Sequence, residues 1–196
     1  MTAHDYLKET YDFSDFQIAQ IRYTVTSLLS EFSKILIMGV FFYYIDHLGE
    51  YLLAAFVLCM LRTCTGGLHF KHYLSCFLVS FLIMFMGVYL LPHIYVNRIM
   101  QLIILLVCII CNYYCSPIVS SYRPIPDGVA VRKSKWQSFT IIFIFTLVMY
   151  IIPMNPYTYA GFWIIILQSL QLIVAKILKR RKYDETPNKI LDIQSM

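Results

Sequence analysis

Four runs of this chain, residues 73–91, 99–115, 136–152 and 157–175, contain no Asp, Glu, Lys or Arg. Each has about the length that carries a helix across hydrocarbon, roughly 17–25 residues. In lipid the backbone must satisfy its own hydrogen bonds within the segment, so such runs fold as helices. Two shorter apolar runs, 35–45 and 51–61, precede them and flank Asp46-His47-Leu48-Gly49-Glu50, which one continuous helix could not comfortably bury. We read the pair as two short or tilted spans joined by an outer turn, with a single kinked re-entrant pair as the rival. The expected fold is therefore an all-α membrane protein of about six transmembrane helices. No loop is long enough to form a second domain. Hydrophobic residues make up 59% of the chain and charged residues 14%, against about 45–50% and about 25% in soluble domains. That balance excludes a disordered chain, a secreted disulfide scaffold and a nucleic-acid-binding globule, and the net charge of +5 is too small to argue for nucleic acid.

Ahead of the spans, Ser14-Asp15-Phe16-Gln17 has the form of a capping box, and Phe13 with Ile18 fits the accompanying hydrophobic staple. Apolar residues recur at Ile18, Ile21, Val25, Leu28 or Leu29, and Phe32, the spacing of one helical face. This predicts an amphipathic helix over 14–32, too polar to span, lying at the membrane surface or under the bundle. Residues 1–9 are polar and charged, unlike a cleaved signal peptide.

Basic residues set the orientation. With a cytoplasmic N-terminus, the inner segments 1–34, 62–72, 116–135 and 176–196 hold 3, 2, 4 and 6 Lys or Arg, and only Arg98 faces out. A multi-pass protein of a bacterial cell membrane with both termini cytoplasmic is expected. Cys59, Cys108 and Cys111 lie inside apolar runs and serve as small hydrophobes, while Cys64, Cys76 and Cys115 sit at run edges on the reducing side. No disulfide framework is expected. Gln168 and Gln171 on the last span suit interhelical hydrogen bonds, and Tyr73, Trp136 and Tyr157 suit the interfacial belt.

Chemistry concentrates in residues 62–76, Arg-Thr-Cys-Thr-Gly-Gly-Leu-His-Phe-Lys-His-Tyr-Leu-Ser-Cys, read as a polar, Gly-Gly-broken loop between the second and third spans. A Cys and a His can form a nucleophile–base pair, because the thiolate reacts and an imidazole can take its proton. His69 and Cys76 are seven apart, about 10 Å along one straight helix, whereas proton transfer needs roughly 3 Å. The pair works only if His69 lies on a loop folded back over the third helix, a fold that Gly66-Gly67 permits. Cys76 would then occupy the first turn of that helix, where the dipole favours a thiolate. His72 and Cys76, at i,i+4, form the competing pair.

In order and spacing, Arg62, Gly66-Gly67-x-His69 and Cys76 resemble the signature of the AgrB (accessory gene regulator protein B) family, and the span number and chain length are similar too. These are membrane cysteine endopeptidases that process the quorum-sensing propeptide of Gram-positive bacteria. The resemblance implies Cys76 as nucleophile and His69 as base, with Arg62, Gly66 and Gly67 supporting and no cofactor. It departs from the family pattern at Phe70, where Ala is commoner, and Cys64 is an extra thiol beside the site. It implies a short precursor peptide with an amphipathic N-terminal helix and an acidic C-terminal tail, and a homodimer. Cys76 would attack a precursor carbonyl, release the C-terminal fragment and hold a thioester, which a Cys or Ser of the peptide converts to a thiolactone or lactone. Arg132, Lys133 and Lys135, on the same side as the motif, would attract the acidic tail; the plainer reading is that they only orient the protein.

Two other classes compete. Cys64, His69, His72 and Cys76 are zinc-ligand types, although C-x4-H-x2-H-x3-C is not a usual zinc spacing. A small transporter or sensor component is the other, and the absence of charge from the third to sixth spans argues against ion coupling.

Overall fold

The computed structural model describes residues 14–67, 72–118, 127–152 and 155–194. Its helices are α1 (Asp15–Tyr44), α2 (Leu48–Thr65), α3 (Tyr73–Phe85), α4 (Arg98–Cys115), α5 (Gly128–Ile151) and α6 (Pro156–Gln194). Six helices among the described residues are long and apolar enough to cross a membrane, so the protein is an all-α membrane protein.

The first helix departs from expectation. Instead of a surface helix over 14–32 followed by a short span at 35–45, α1 is one helix of 30 residues, about 45 Å long at 1.5 Å per residue. The capping box is present at its start: Gln17 N donates to Ser14 Oγ at 3.3 Å, and Ser14 N donates to Gln17 Oε1 at 2.9 Å. Phe13 of the expected staple lies outside the described residues. Nothing at the junction stops the helix. Ser33 returns its hydroxyl to the Ser30 carbonyl at 2.9 Å, and Lys34, just before the apolar run 35–45, is tucked inward and paired with Glu31. The apolar part of α1 therefore starts at Thr24. Lys34, Met38 and Phe42 form its buried face at four-residue spacing.

A tight turn at 45–47 reverses the chain, with Asp46 in the left-handed region at φ 59°, which Asp tolerates better than most residues. Its partner α2 is again longer than the apolar run 51–61. Tyr51 stacks on Phe42 with centroids 4.8 Å apart and donates its hydroxyl to the Ile35 carbonyl at 2.9 Å, holding α1 against α2. Each of the two is long enough to cross, which favours paired spans over a re-entrant pair.

Beyond α3 the chain continues through a π turn at Met86–Leu90 and a 3-10 turn at Leu91–His93. Tyr73, Phe77, Phe81, Phe85 and Tyr89 stack in sequence along this helix with centroids 5.2–6.4 Å apart. Phe41 of α1 packs edge-on against Phe81 at 5.0 Å. At the π turn, Gly87 lets Ile164 approach so closely that a Cβ would stand 2.7 Å from its Cδ1.

Pro156 opens α6, where its missing N–H costs nothing. Asn155 and Thr158 cap it reciprocally, Thr158 N donating to Asn155 Oδ1 at 2.9 Å. The apolar part of α6 is the centre of the bundle: 50% of it is buried, against 18–33% for the other spans. Lipid tails are as apolar as Leu, so helix association relies on close packing and interhelical hydrogen bonds. Asn112 of α4 supplies one such bond, donating Nδ2 to Ser169 Oγ at 2.7 Å. All six cysteines are free.

Candidate functional site

The stretch read as a loop is mostly helix at both ends. Arg62 to Thr65 form the last turn of α2, and Tyr73 to Cys76 the first turn of α3. Gly66 ends α2 with φ 74° and donates its N–H to the Arg62 carbonyl at 3.0 Å. Only glycine adopts this backbone without strain, and here the need is also steric, because a Cβ on Gly66 would collide with the Ile118 carbonyl oxygen.

Several elements fix the chain as it leaves α2. Ile118 N donates to the Thr65 carbonyl at 2.9 Å, forming an isolated parallel bridge between Gly66 and Ile118. Gln168 Nε2 of α6 reaches Thr65 Oγ1 at 3.3 Å and the Gly66 carbonyl at 3.2 Å. Ser134 of α5 donates to the Cys64 carbonyl. Gly67, beside the Arg62 guanidinium, completes the described part of the glycine pair. His69, together with residues 68, 70 and 71, lies outside the described residues.

On the far side, His72 precedes α3 with extended backbone, φ −101° and ψ 134°, and its carbonyl accepts from Cys76 N at 3.2 Å. Cys76 therefore begins the hydrogen-bonded ladder of α3, as its expected place in the first turn requires. Because His72 stands outside the helix, the competing i,i+4 pair lacks the continuous helix that it needs.

Cys76 meets a residue that the motif did not contain. Lys34 Nζ of α1 donates to Cys76 Sγ at 3.2 Å. The lysine is 2% exposed, lies 5.7 Å over the Tyr73 ring, and pairs with Glu31 Oε1 at 2.7 Å. Next to it, Ser33 Oγ and Tyr73 OH are hydrogen-bonded at 2.8 Å, fastening α1 to the start of α3. Glu31 Oε2 lies 3.9 Å from Arg62 NH1, and Arg62 NH2 donates to Gln171 Oε1 at 3.4 Å. One chain of polar contacts thus runs Cys76–Lys34–Glu31–Arg62–Gln171 and joins α3, α1, α2 and α6.

Of the expected site residues, the structure brings together Cys76 and Arg62, through Lys34 and Glu31, and holds Gly66 and Gly67 at the end of α2. Arg132 and Lys133 are exposed on the first turns of α5. Lys135 stands over the Tyr113 ring at 5.0 Å. These three bases flank Ser134, hence the Cys64 end of the motif, and none has a described contact with Cys76. Lys34 and Glu31 escaped the sequence reading, which counted Lys34 only among the basic residues of the inner side and did not single out Glu31. Their local signal was an i,i+3 pair of opposite charge at the edge of an apolar run, a spacing at which two side chains can meet on one helix. The expected interhelical bonds of Gln168 and Gln171 are both present.

Chemically, Cys76 is a partly exposed residue at a helix start, with its sulfur beside a buried cation. Reactive cysteines occupy such electropositive, partly accessible settings. The same cation disfavours a zinc site, since an ammonium 3.2 Å from Sγ would repel a divalent ion. Among the described residues no three His, Cys, Asp or Glu side chains converge.

Residues 2–172 match the model of the family described as Accessory gene regulator B. A protein of Clostridium perfringens named AgrB-like is 28% identical over 178 residues, covering 87% of this chain and 92% of the relative. Another protein named AgrB-like, from Clostridium beijerinckii, is 26% identical over 118 residues, 59% of this chain and 58% of the relative. No solved structure matches. With the family match spanning nearly the whole membrane domain and the glycine–cysteine motif inside it, the chain belongs to the accessory gene regulator B family.

Proposed function

We propose that this protein is a membrane-embedded cysteine endopeptidase that cuts a short precursor peptide and passes the acyl group to a side chain of that peptide. Membership of the accessory gene regulator B family ties the chain to quorum-sensing peptide processing. The observation that carries the finer reading is Cys76 itself, in the first turn of α3, partly exposed, with a buried ammonium 3.2 Å from its sulfur.

The Cys76 sulfur attacks the scissile carbonyl and pushes the carbonyl electrons onto oxygen. As that intermediate collapses, the C–N bond breaks and the amine of the C-terminal fragment leaves with a proton. His69 is the proposed carrier of that proton. The remaining thioester is attacked by a Cys or Ser of the bound peptide, closing a thiolactone or lactone and returning Cys76. Exchange of thioester for thiolactone is nearly balanced in energy, so competing water must be limited. A site at the boundary of the bundle suits that need.

The bulk of the basic residues mark the motif side as cytoplasmic, where a newly made precursor is available. Arg132, Lys133 and Lys135 attract its acidic tail from the start of α5. The test is co-expression with a candidate precursor, followed by mass spectrometry of the products. C76A is expected to abolish release of the C-terminal fragment, and unchanged processing would overturn the reading. H69A is expected to remove activity and H72A to leave a substantial part of it; the reverse result would make His72 the base.

A further inference from the structure

Lys34 sits in a charge cluster that does not balance as it stands. Among the described residues, two cations, Lys34 and Arg62, share one carboxylate, Glu31. That carboxylate is 41% exposed, so water screens its pairing, whereas Lys34 is 2% exposed and meets the Tyr73 ring and Cys76 Sγ. A buried ammonium is costly unless compensated by fixed opposite charge. A thiolate at Cys76 would supply that charge and bring the described cluster to neutrality.

We propose that Lys34 is a positioning residue for the reaction, its ammonium acting as the fixed counter-ion of an ionised Cys76 before any substrate arrives. The inference rests on the reading of Cys76 as nucleophile and adds how that nucleophile is kept ready. The thiol proton goes to solvent in the resting protein, so the attack itself needs no base. The leaving amine still takes a proton, and this task falls to His69 as an imidazolium. Lys34 touches neither substrate nor scissile bond and works only through the sulfur. Among the described residues, the titratable and charged groups around it are Glu31 from α1, Arg62 from α2 through Glu31, and Tyr73 on α3, with His72 preceding that helix.

The arrangement also fixes direction. Lys34 comes from α1, which is held to the start of α3 by the Ser33–Tyr73 hydrogen bond one residue away. The ammonium therefore reaches the sulfur from α1, while Cys76 itself is partly exposed. Met in place of Lys34 has nearly the same shape and removes the charge, and the carboxylate it leaves behind, Glu31, is 41% exposed and can be solvated by water.

The experiment measures iodoacetamide alkylation of Cys76 in the full-length protein in detergent, read by mass spectrometry of its peptide, at pH 7 and pH 10. Dividing one rate by the other cancels differences in access. An ordinary thiol, glutathione run alongside, slows about 30-fold from pH 10 to pH 7. Cys76 is expected to slow less than about threefold, K34R to behave like the unsubstituted protein, and K34M to fall back to the glutathione ratio. A Cys76 in the unsubstituted protein that slows as steeply as glutathione would overturn the proposal, and this arm needs no variant to fold. So would a K34M ratio equal to that of the unsubstituted protein. No precursor is present in the assay, so the outcome is separate from that of the C76A co-expression. A flat pH ratio with an uncut precursor would leave the counter-ion standing and remove the endopeptidase reading.

Discussion

Gly66 passes the carbonyl of Ile118 so closely that no side chain fits between them, and it does so at φ 74°. The two backbones are bridged by Ile118 N to the Thr65 carbonyl. This contact closes the end of α2 and aims the chain toward the motif. G66A therefore meets both a strained backbone, of order 1–3 kcal/mol, and a clash with backbone rather than a pliable side chain. We expect it to keep membrane insertion, since no span is touched, while losing most precursor cleavage. Protein level in membranes and product mass together check this.

Arg62 serves two partners with the two ends of one guanidinium, Glu31 at 3.9 Å and Gln171 at 3.4 Å. A lysine is a single point charge and cannot hold both. R62K should lower cleavage about tenfold, the worth of one charge-assisted hydrogen bond, with unchanged expression. Cleavage within twofold of the unsubstituted protein would show that the fork is idle.

The bond from Gln168 to Thr65 links the central helix to the last turn of α2. Interhelical hydrogen bonds in membrane proteins average about 0.6 kcal/mol, and Gln168 also holds the Gly66 carbonyl. A double-mutant cycle of T65V and Q168L, followed by denaturation in detergent, should give a coupling of about 0.5–1 kcal/mol. Strict additivity would mean that the two side chains do not feel each other.

Arg132 and Lys133 are exposed, and exposed charges add little stability. Replacing Arg132, Lys133 and Lys135 together by Gln should leave thermal stability within about 0.5 kcal/mol. Apparent KM for a precursor with an acidic tail should rise several-fold, and the effect should shrink in high salt. For a precursor whose tail has been neutralised, no rise is expected. An equal loss with both precursors would assign these bases to orientation alone.

The sequence made most of the spans legible, because charge-free runs of helical length have one stable fate in lipid. The capping box at Ser14 and the glycine break at Gly66 could also be read, since each depends on neighbours within a few residues. What could not be read depends on packing between elements. Lys34 and Cys76 are 42 residues apart, and no local rule predicts that a lysine at the edge of an apolar run points inward to a thiol on another helix. The expected division between a surface helix over 14–32 and a span over 35–45 fell where the helix runs on. Arg62 was recognised through the motif, but its partners Glu31 and Gln171 were visible only after folding. His69 lies outside the described residues, and its role rests on the motif and the proposed chemistry.

The unbroken course of α1 has a mechanical side. The helix begins at its cap on Ser14 and reaches Lys34 twenty residues later, a lever arm of about 30 Å. A rod of this kind has no joint at which its polar half could swing alone. Thr24, where its apolar part begins, lies ten residues or about 15 Å before Lys34, so a tilt of about two degrees there shifts Lys34 by about 0.5 Å. Whatever grips the Ser14 end of α1, be it lipid headgroups or a peptide lying beside it, therefore has a handle on the distance between ammonium and sulfur.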